Sequence, residues 1–199
     1  MTCTRIYLVR HGQVEGHEEK RYNGQTDVAL TAQGRAQYGL LEVRLRNKPL
    51  AAIYSSDLSR CLEGAELLGR GRDLAPVARA DLRELHLGEW EGRAWEELKR
   101  VFPEQWQARL ADIVNYRVPG AETIAELNER AVPAVREIVA AHRGEEVLVV
   151  GHGALNRVIL LEAIGAPLDR VFRLEQHYGC LNIIDYYADG RTVVSLLNG

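Results

Sequence analysis

A chain of 199 residues, 46% hydrophobic and 27% charged, is sized for one globular domain, expected to span 1–199, with a real core. A formal net charge of -3 leaves no basic footprint for nucleic acid, and no apolar run nears the ~20 residues that span a bilayer. Cys3, Cys61 and Cys180 are too few and too scattered for a disulfide framework or zinc knuckle, and Met1–Arg5 carries no apolar leader, so a cytoplasmic location is expected.

Ile6–Val9 is a short apolar, β-branched run that reads as a buried strand and stops at Arg10-His11-Gly12. A strand ending this way holds its last side chains at the sheet edge where open α/β folds place ligands. An imidazole beside a guanidinium there suits chemistry on an anion. Residues 13–30 are polar and broken by Gly16 and Asn23-Gly24, a long loop of the kind that is usually functional. Thr31 is the expected N-cap of a helix over 32–47, with Tyr38, Leu41 and Leu45 inward and Ala36, Leu40 and Val43 widening the apolar face.

A second strand, 51–54, precedes Ser55-Ser56-Asp57, any of which could cap the helix that runs to Leu68 with Leu58, Cys61, Leu62, Ala65 and Leu68 on one face. Arg60 falls in its first turn, off that face. A cation is unfavourable at a helix N-terminus, so either a bound anion or plain solvation accounts for it. Pro76–Ala78 is a candidate third strand. The segment 82–92 mixes Glu84, Glu89 and Glu91 with Leu85, Leu87 and Trp90, the setting in which desolvation makes a carboxyl a proton donor.

Residues 94–117 carry Trp95, Leu98, Phe102, Trp106, Leu110 and Ile113, split by Pro103. This amphipathic piece interrupts the strand–helix alternation and is read as a cap insertion at about 93–118, over the open sheet edge; a hairpin packed away from the site is the alternative. Thr123 and Glu126 form a capping box for a long helix to His142, with Ile124, Leu127, Ala131, Val135 and Ile138 inward and a kink expected at Pro133. The most apolar strand, 146–150, ends in Gly151-His152-Gly153 and leads into another helix, the same device as at His11. Pro167–Phe172 is a short segment, and 180–187 with 192–196 form a hairpin around Asp189-Gly190.

Four stretches in this order resemble the histidine phosphatase family, also called phosphoglycerate mutase-like: Arg10-His11-Gly12, Ser55–Arg60, Arg83-Glu84 followed by Gly88–Gly92, and Gly151-His152-Gly153. The resemblance spans nearly the whole chain. It implies a three-layer α/β/α sandwich with a mostly parallel sheet and a small helical cap. It also implies phosphomonoester hydrolysis through a phosphohistidine, with His11 as nucleophile, Glu84 as proton donor and acceptor, and Arg10, Arg60 and His152 on the phosphoryl oxygens. Glu89 and Glu91 are the rivals of Glu84. No metal or other cofactor is implied, and no histidine pair has the i, i+4 spacing of a helical zinc site.

Two departures from the family pattern stand out. Val14 replaces a threonine and His17 an asparagine, so His17 takes over the asparagine's phosphate contact as an expectation; and Pro119–Thr123 stands for Pro-Gly-Gly-Glu-Ser, which offers Glu122 for substrate or cap contacts. His86, His142 and His177 are given no catalytic part. The stretches 21–27, 108–112 and 175–184 are similar to those of α-ribazole phosphatases. Asn23, Gln25, Arg83 and Gly153, beside Arg10, His17, Arg60 and Glu122, complete the expected substrate-binding set. The expected partner is a small phosphate ester, with no nucleic acid or membrane, in a monomer or homodimer. A broad-specificity or mutase-like enzyme on sugar phosphates or phosphoglycerate is the alternative, and a non-catalytic phosphate-binding module is the rival of another class.

Overall fold

The computed structural model describes residues 3–199; Met1 and Thr2, part of the lead-in considered above, lie outside the described residues. Six strands form one sheet in the order β3-β2-β4-β1-β5-β6. β1 (Cys3–Arg10), β2 (Leu50–Ser56), β3 (Val77–Arg79) and β4 (Glu146–Gly151) are parallel, whereas β5 (Leu181–Tyr187) pairs antiparallel with β1, and β6 (Thr192–Leu196) pairs antiparallel with β5. The central strands β1 and β4 are buried on both faces and correspondingly apolar. Ile6, Leu8, Val147 and Val149 point to a core built with α5 (Ile124–Ala141) and α6 (Gly153–Ala163). Tyr7, Val9, Leu148 and Val150 point to a second core built with α1 (Ala32–Leu45) and α2 (Ser59–Gly69). Two helical layers enclose the sheet, the expected three-layer sandwich.

Local signals account for most boundaries. Thr31 caps α1 by accepting from the Gly34 N–H, and Thr123 and Glu126 close a reciprocal capping box on α5, which runs on through Pro133. The inward set Ile124, Leu127, Ala131, Val135 and Ile138 is buried as the spacing demands. The face of α1 is narrower than expected. Leu40 is 70% and Val43 60% exposed, and Ala36 is exposed too, because only the Tyr38–Leu41–Leu45 stripe reaches α2 and the sheet. None of Ser55, Ser56 and Asp57 is the N-cap of α2. Leu58 holds that place, and the Ser59 N–H and hydroxyl both donate to Asp27 of the long loop (2.9 and 2.7 Å), while Asp57 is drawn instead to Arg83. A tertiary contact takes the role that the sequence offered to a local one.

α1 packs on α2 through a close approach at Gly64. A Cβ there would lie 1.8 Å from the Tyr38 ring, whose hydroxyl donates to the Arg60 carbonyl (3.1 Å). Residues 95–111 form α3 (Trp95–Val101) and α4 (Pro103–Ala111). They are joined to the long loop and to the 88–92 turn by an aromatic cluster: Tyr22 lies 6.2 Å from Trp90 and 5.4 Å from Trp95, and Trp90 lies 5.8 Å from Trp106. Gly64→Ala is expected to cost about 1–3 kcal/mol, as overpacking of a filled site does. A wild-type urea midpoint would show that Tyr38 has room to move.

Candidate active site

The parallel pairing of β1 with β4 places Arg10 opposite Gly151, so the residues that follow, His11 and His152, leave the sheet side by side. Their rings sit edge to face with centroids 5.2 Å apart. Both side chains are buried; His11 lines the wall of a cavity of about 830 Å³, and His152 stands directly behind it. The His11 Nδ1 lies 2.8 Å from the Gly12 carbonyl. A carbonyl only accepts, so Nδ1 carries the proton and Nε2 keeps the lone pair. Burial, first, and then the charges of Arg60 and Arg10 hold the His11 pKa well below the ordinary 6.5. Burial and Arg60 do the same for His152, with smaller contributions from His11 and Arg10. Both rings are neutral at pH 7.

Two guanidinium groups flank the pair. Arg60, 1% exposed, donates from its terminal nitrogens to the Thr26 (2.8 Å) and Gly24 (2.6 Å) carbonyls. Arg10 donates to the Gln176 carbonyl (2.6 Å) and lies over the Tyr178 ring, 4.1 Å from its centroid. The Nε of each arginine is buried without a partner, and among the described residues neither forms an ion pair. Burial of an uncompensated charge costs on the order of several kcal/mol. Solvation therefore no longer explains Arg60. An anion between the two guanidinium groups would supply the missing charge, and their planar forks match phosphate oxygens.

Glu84 lines the same cavity, and its carboxylate accepts from the Ala154 and Leu155 N–H groups (3.2 and 3.3 Å) at the start of α6 and from Leu85 (2.8 Å). Its two rivals are elsewhere. Glu89 is exposed, and Glu91 is used up on the Gln25 and Thr26 backbone N–H groups, the Thr26 hydroxyl and Leu87 N–H. His17, Asn23 and Gly153 also line the cavity. Gln25, Arg83 and Glu122 do not. Gln25 donates to the Glu84 carbonyl, Arg83 pairs with Asp57 at 2.6 Å, and Glu122 pairs with Arg130 at 2.5 Å, so each is spent on holding loops.

A model of the histidine phosphatase superfamily (branch 1) matches residues 6–199. This chain belongs to that family. Among solved structures, a histidine phosphatase-like fold is shared with YhfR of Bacillus stearothermophilus, 33% identical with a TM-score of 0.89 over 97% of this chain and 96% of that one. The α-ribazole phosphatase of Shigella flexneri superposes with a TM-score of 0.90 over 98% of this chain and 96% of that one, at 23% identity. A bifunctional protein of Mycobacterium tuberculosis is 33% identical over 99% of this chain but 54% of its own length. The chain thus spans about half the length of the curated relatives it matches first.

The cavity wall also includes residues whose motifs carried no site role. Tyr178 touches both Arg10 and His11, at 4.1 and 5.6 Å. Arg157, one turn into α6, Arg109 of α4 and Trp95 of α3 line the cavity as well. The segment 175–184 had drawn notice as a block, but nothing in it marked Tyr178 as the floor under Arg10. Among the described residues no cluster of three or more His, Cys, Asp or Glu is placed to share a metal ion, and no helix is long and apolar enough to cross a membrane.

The two buried histidines make stability depend on pH. Below 6.5 the unfolded chain binds protons that the folded chain refuses, so stability falls as the pH drops from 6.5 towards the depressed folded values. The fall is at most about 1.4 kcal/mol per pH unit for each ring, with no contribution above 6.5. Urea unfolding at pH 7.5 and 5.5 should show a lower midpoint at 5.5 and a shallower dependence in His11→Gln. Equal midpoints in the wild type would mean that the rings are protonated in place.

Proposed function

We propose that this protein hydrolyses phosphomonoesters through a phosphohistidine at His11. The observation that carries the reading is a pair of guanidinium groups without counter-ions, Arg60 buried and Arg10 half-buried, beside a neutral imidazole whose tautomer is fixed. The phosphoryl group seats between Arg10 and Arg60 against His11; for His152, packed behind His11, the family resemblance implies a hydrogen bond to a third oxygen. The His11 Nε2 attacks phosphorus as the P–O bond to the leaving group breaks, and Glu84 gives that oxygen its proton. The N–H groups of Ala154 and Leu155 hold the carboxylate so formed. Water then attacks the phosphohistidine, the Nε2–P bond breaks, and Glu84 takes the water's proton. Charge on the transferring group is spread over its equatorial oxygens, where the arginines wait without reorganisation.

For the substrate we favour α-ribazole 5′-phosphate or an ester like it, which would place the enzyme in cobalamin nucleotide-loop assembly. The three stretches similar to α-ribazole phosphatases supply Tyr22, Asn23, Arg109 and Tyr178 to the cavity wall, and Trp95 and Phe172 add aromatic surface for a bicyclic base. The Shigella flexneri enzyme supports the shape of this reading and no more. A second reading rests on a different observation. Lys20, Arg109 and Arg157 face the cavity, and among the described residues none has a carboxylate partner; they would suit a leaving group with an anionic group of its own, as in phosphoglycerate.

His11→Ala should retain the fold and lose at least about a thousandfold in kcat/KM, whereas a non-catalytic binding module would show no turnover in either form. Glu84→Gln should slow alkyl phosphates by about 10²–10⁴, the usual worth of a general acid, and p-nitrophenyl phosphate far less. Equal slowing of both would remove Glu84 as the donor. The substrate is tested by kcat/KM for α-ribazole 5′-phosphate against 3-phosphoglycerate and simple alkyl phosphates. A preference for phosphoglycerate would favour the second reading.

A further inference from the structure

Glu84 sits on an irregular segment, between a 3-10 turn at Ala80–Leu82 and another at Gly88–Trp90, with no strand ladder to fix it. Arg130 of α5 lies behind that segment. Its Nη1 donates to the Asp81 and Arg83 carbonyls (3.0 and 2.9 Å) and its Nη2 to the Glu84 carbonyl (2.8 Å). Its Nε and Nη2 meet the two Glu122 oxygens at 2.9 and 2.5 Å. All five N–H donors of the guanidinium are therefore used, three on the backbone that carries Glu84 and two on one carboxylate. Glu122 in turn accepts from the His86 N–H (2.9 Å), two residues beyond Glu84. The pair grips the segment on both sides of the proton donor, while Gln25 adds a second donor to the Glu84 carbonyl (3.1 Å).

We propose that the Arg130–Glu122 pair is a positioning device for Glu84, and that Glu122 acts on catalysis through this brace and not through contact with substrate. The inference rests on Glu84 being the proton donor. A rigid backbone is needed because proton transfer demands hydrogen-bond reach to one leaving-group oxygen, and a misplacement of about 1 Å is enough to lose it. The planar fork is essential to the brace. Lysine keeps the charge and one contact to Glu122, but it cannot span three carbonyls and a carboxylate at once.

The test compares kcat/KM for β-glycerol phosphate and p-nitrophenyl phosphate in the wild type, Arg130→Lys, Glu122→Gln, Glu84→Gln and the Arg130→Lys/Glu84→Gln double variant, with unfolding midpoints for each. Arg130→Lys should lose about tenfold or more on the alkyl ester, in kcat more than KM, and less than about threefold on the aryl ester, with Glu122→Gln following the same pattern. The double variant should be no slower than Glu84→Gln alone, since a brace has nothing left to position. Equal losses on both esters that track a fall in midpoint, or wild-type kinetics, would reduce the pair to an ordinary structural contact. If Glu84→Gln itself treats the two esters alike, the proton-donor assignment falls and the brace with it; if Glu84→Gln discriminates and Arg130→Lys does not, the brace alone falls.

Discussion

The structure depends on an electrostatic debt at one end of the sheet. Arg60 is buried and Arg10 half-buried, with backbone carbonyls for company and no carboxylate, and the buried Nε of each has no partner. A folded chain tolerates such an arrangement only where the surrounding packing over-determines it. Here that packing is extensive: Tyr178 beneath Arg10, and the Tyr38 hydroxyl on the carbonyl of Arg60 itself. Burial, with the same charges adding to it, keeps the two imidazoles neutral, so one end of the sheet prepares both the anion site and the nucleophile.

The sheet solves the remaining problem, which is to bring distant residues to one point. β1 and β4 are neighbours in space though far apart in sequence, and their register aligns the two histidine-bearing ends without any adjustment in the loops. Close backbone approach completes the corner: a Cβ on Gly12 would fall 2.4 Å from the Gly34 carbonyl oxygen, so the chain turns from β1 against the start of α1 in a space only glycine fits. The α6 N-terminus then supplies free N–H groups to Glu84 from the residues just after His152.

Much of this was legible in the sequence because it is governed by local rules. Alternating and continuous apolar runs marked the buried strands, Thr31 and the Thr123–Glu126 box marked helix starts, and the two imidazoles at strand ends marked the site. What escaped was set by tertiary geometry. Arg60 was ambiguous in its own helix and became clear only once α2 was packed against the loop that carries Gly24 and Thr26. Ser55, Ser56 and Asp57 all looked like caps, yet Leu58 holds the cap position of α2 and Asp27, from the long loop, accepts from the Ser59 N–H. Gln25, Arg83 and Glu122 had the chemistry of ligand contacts but found protein partners first. Arg130 gave no signal, since an arginine on an amphipathic helix normally faces water, and only the fold brings together its three acceptors in the 81–86 segment and two on Glu122.

The fixed tautomer makes the account sharply testable. If His11 holds its proton on Nδ1 against the Gly12 carbonyl, phosphorus can be attached only at Nε2. The most direct measurement is NMR of the rapidly trapped phosphoenzyme, with ¹⁵N-labelled histidine and phosphorus detection. A single phosphoryl group bonded to Nε2 of His11 is the predicted result. Phosphorylation at Nδ1 or on His152, or turnover with His11 never modified, would contradict it.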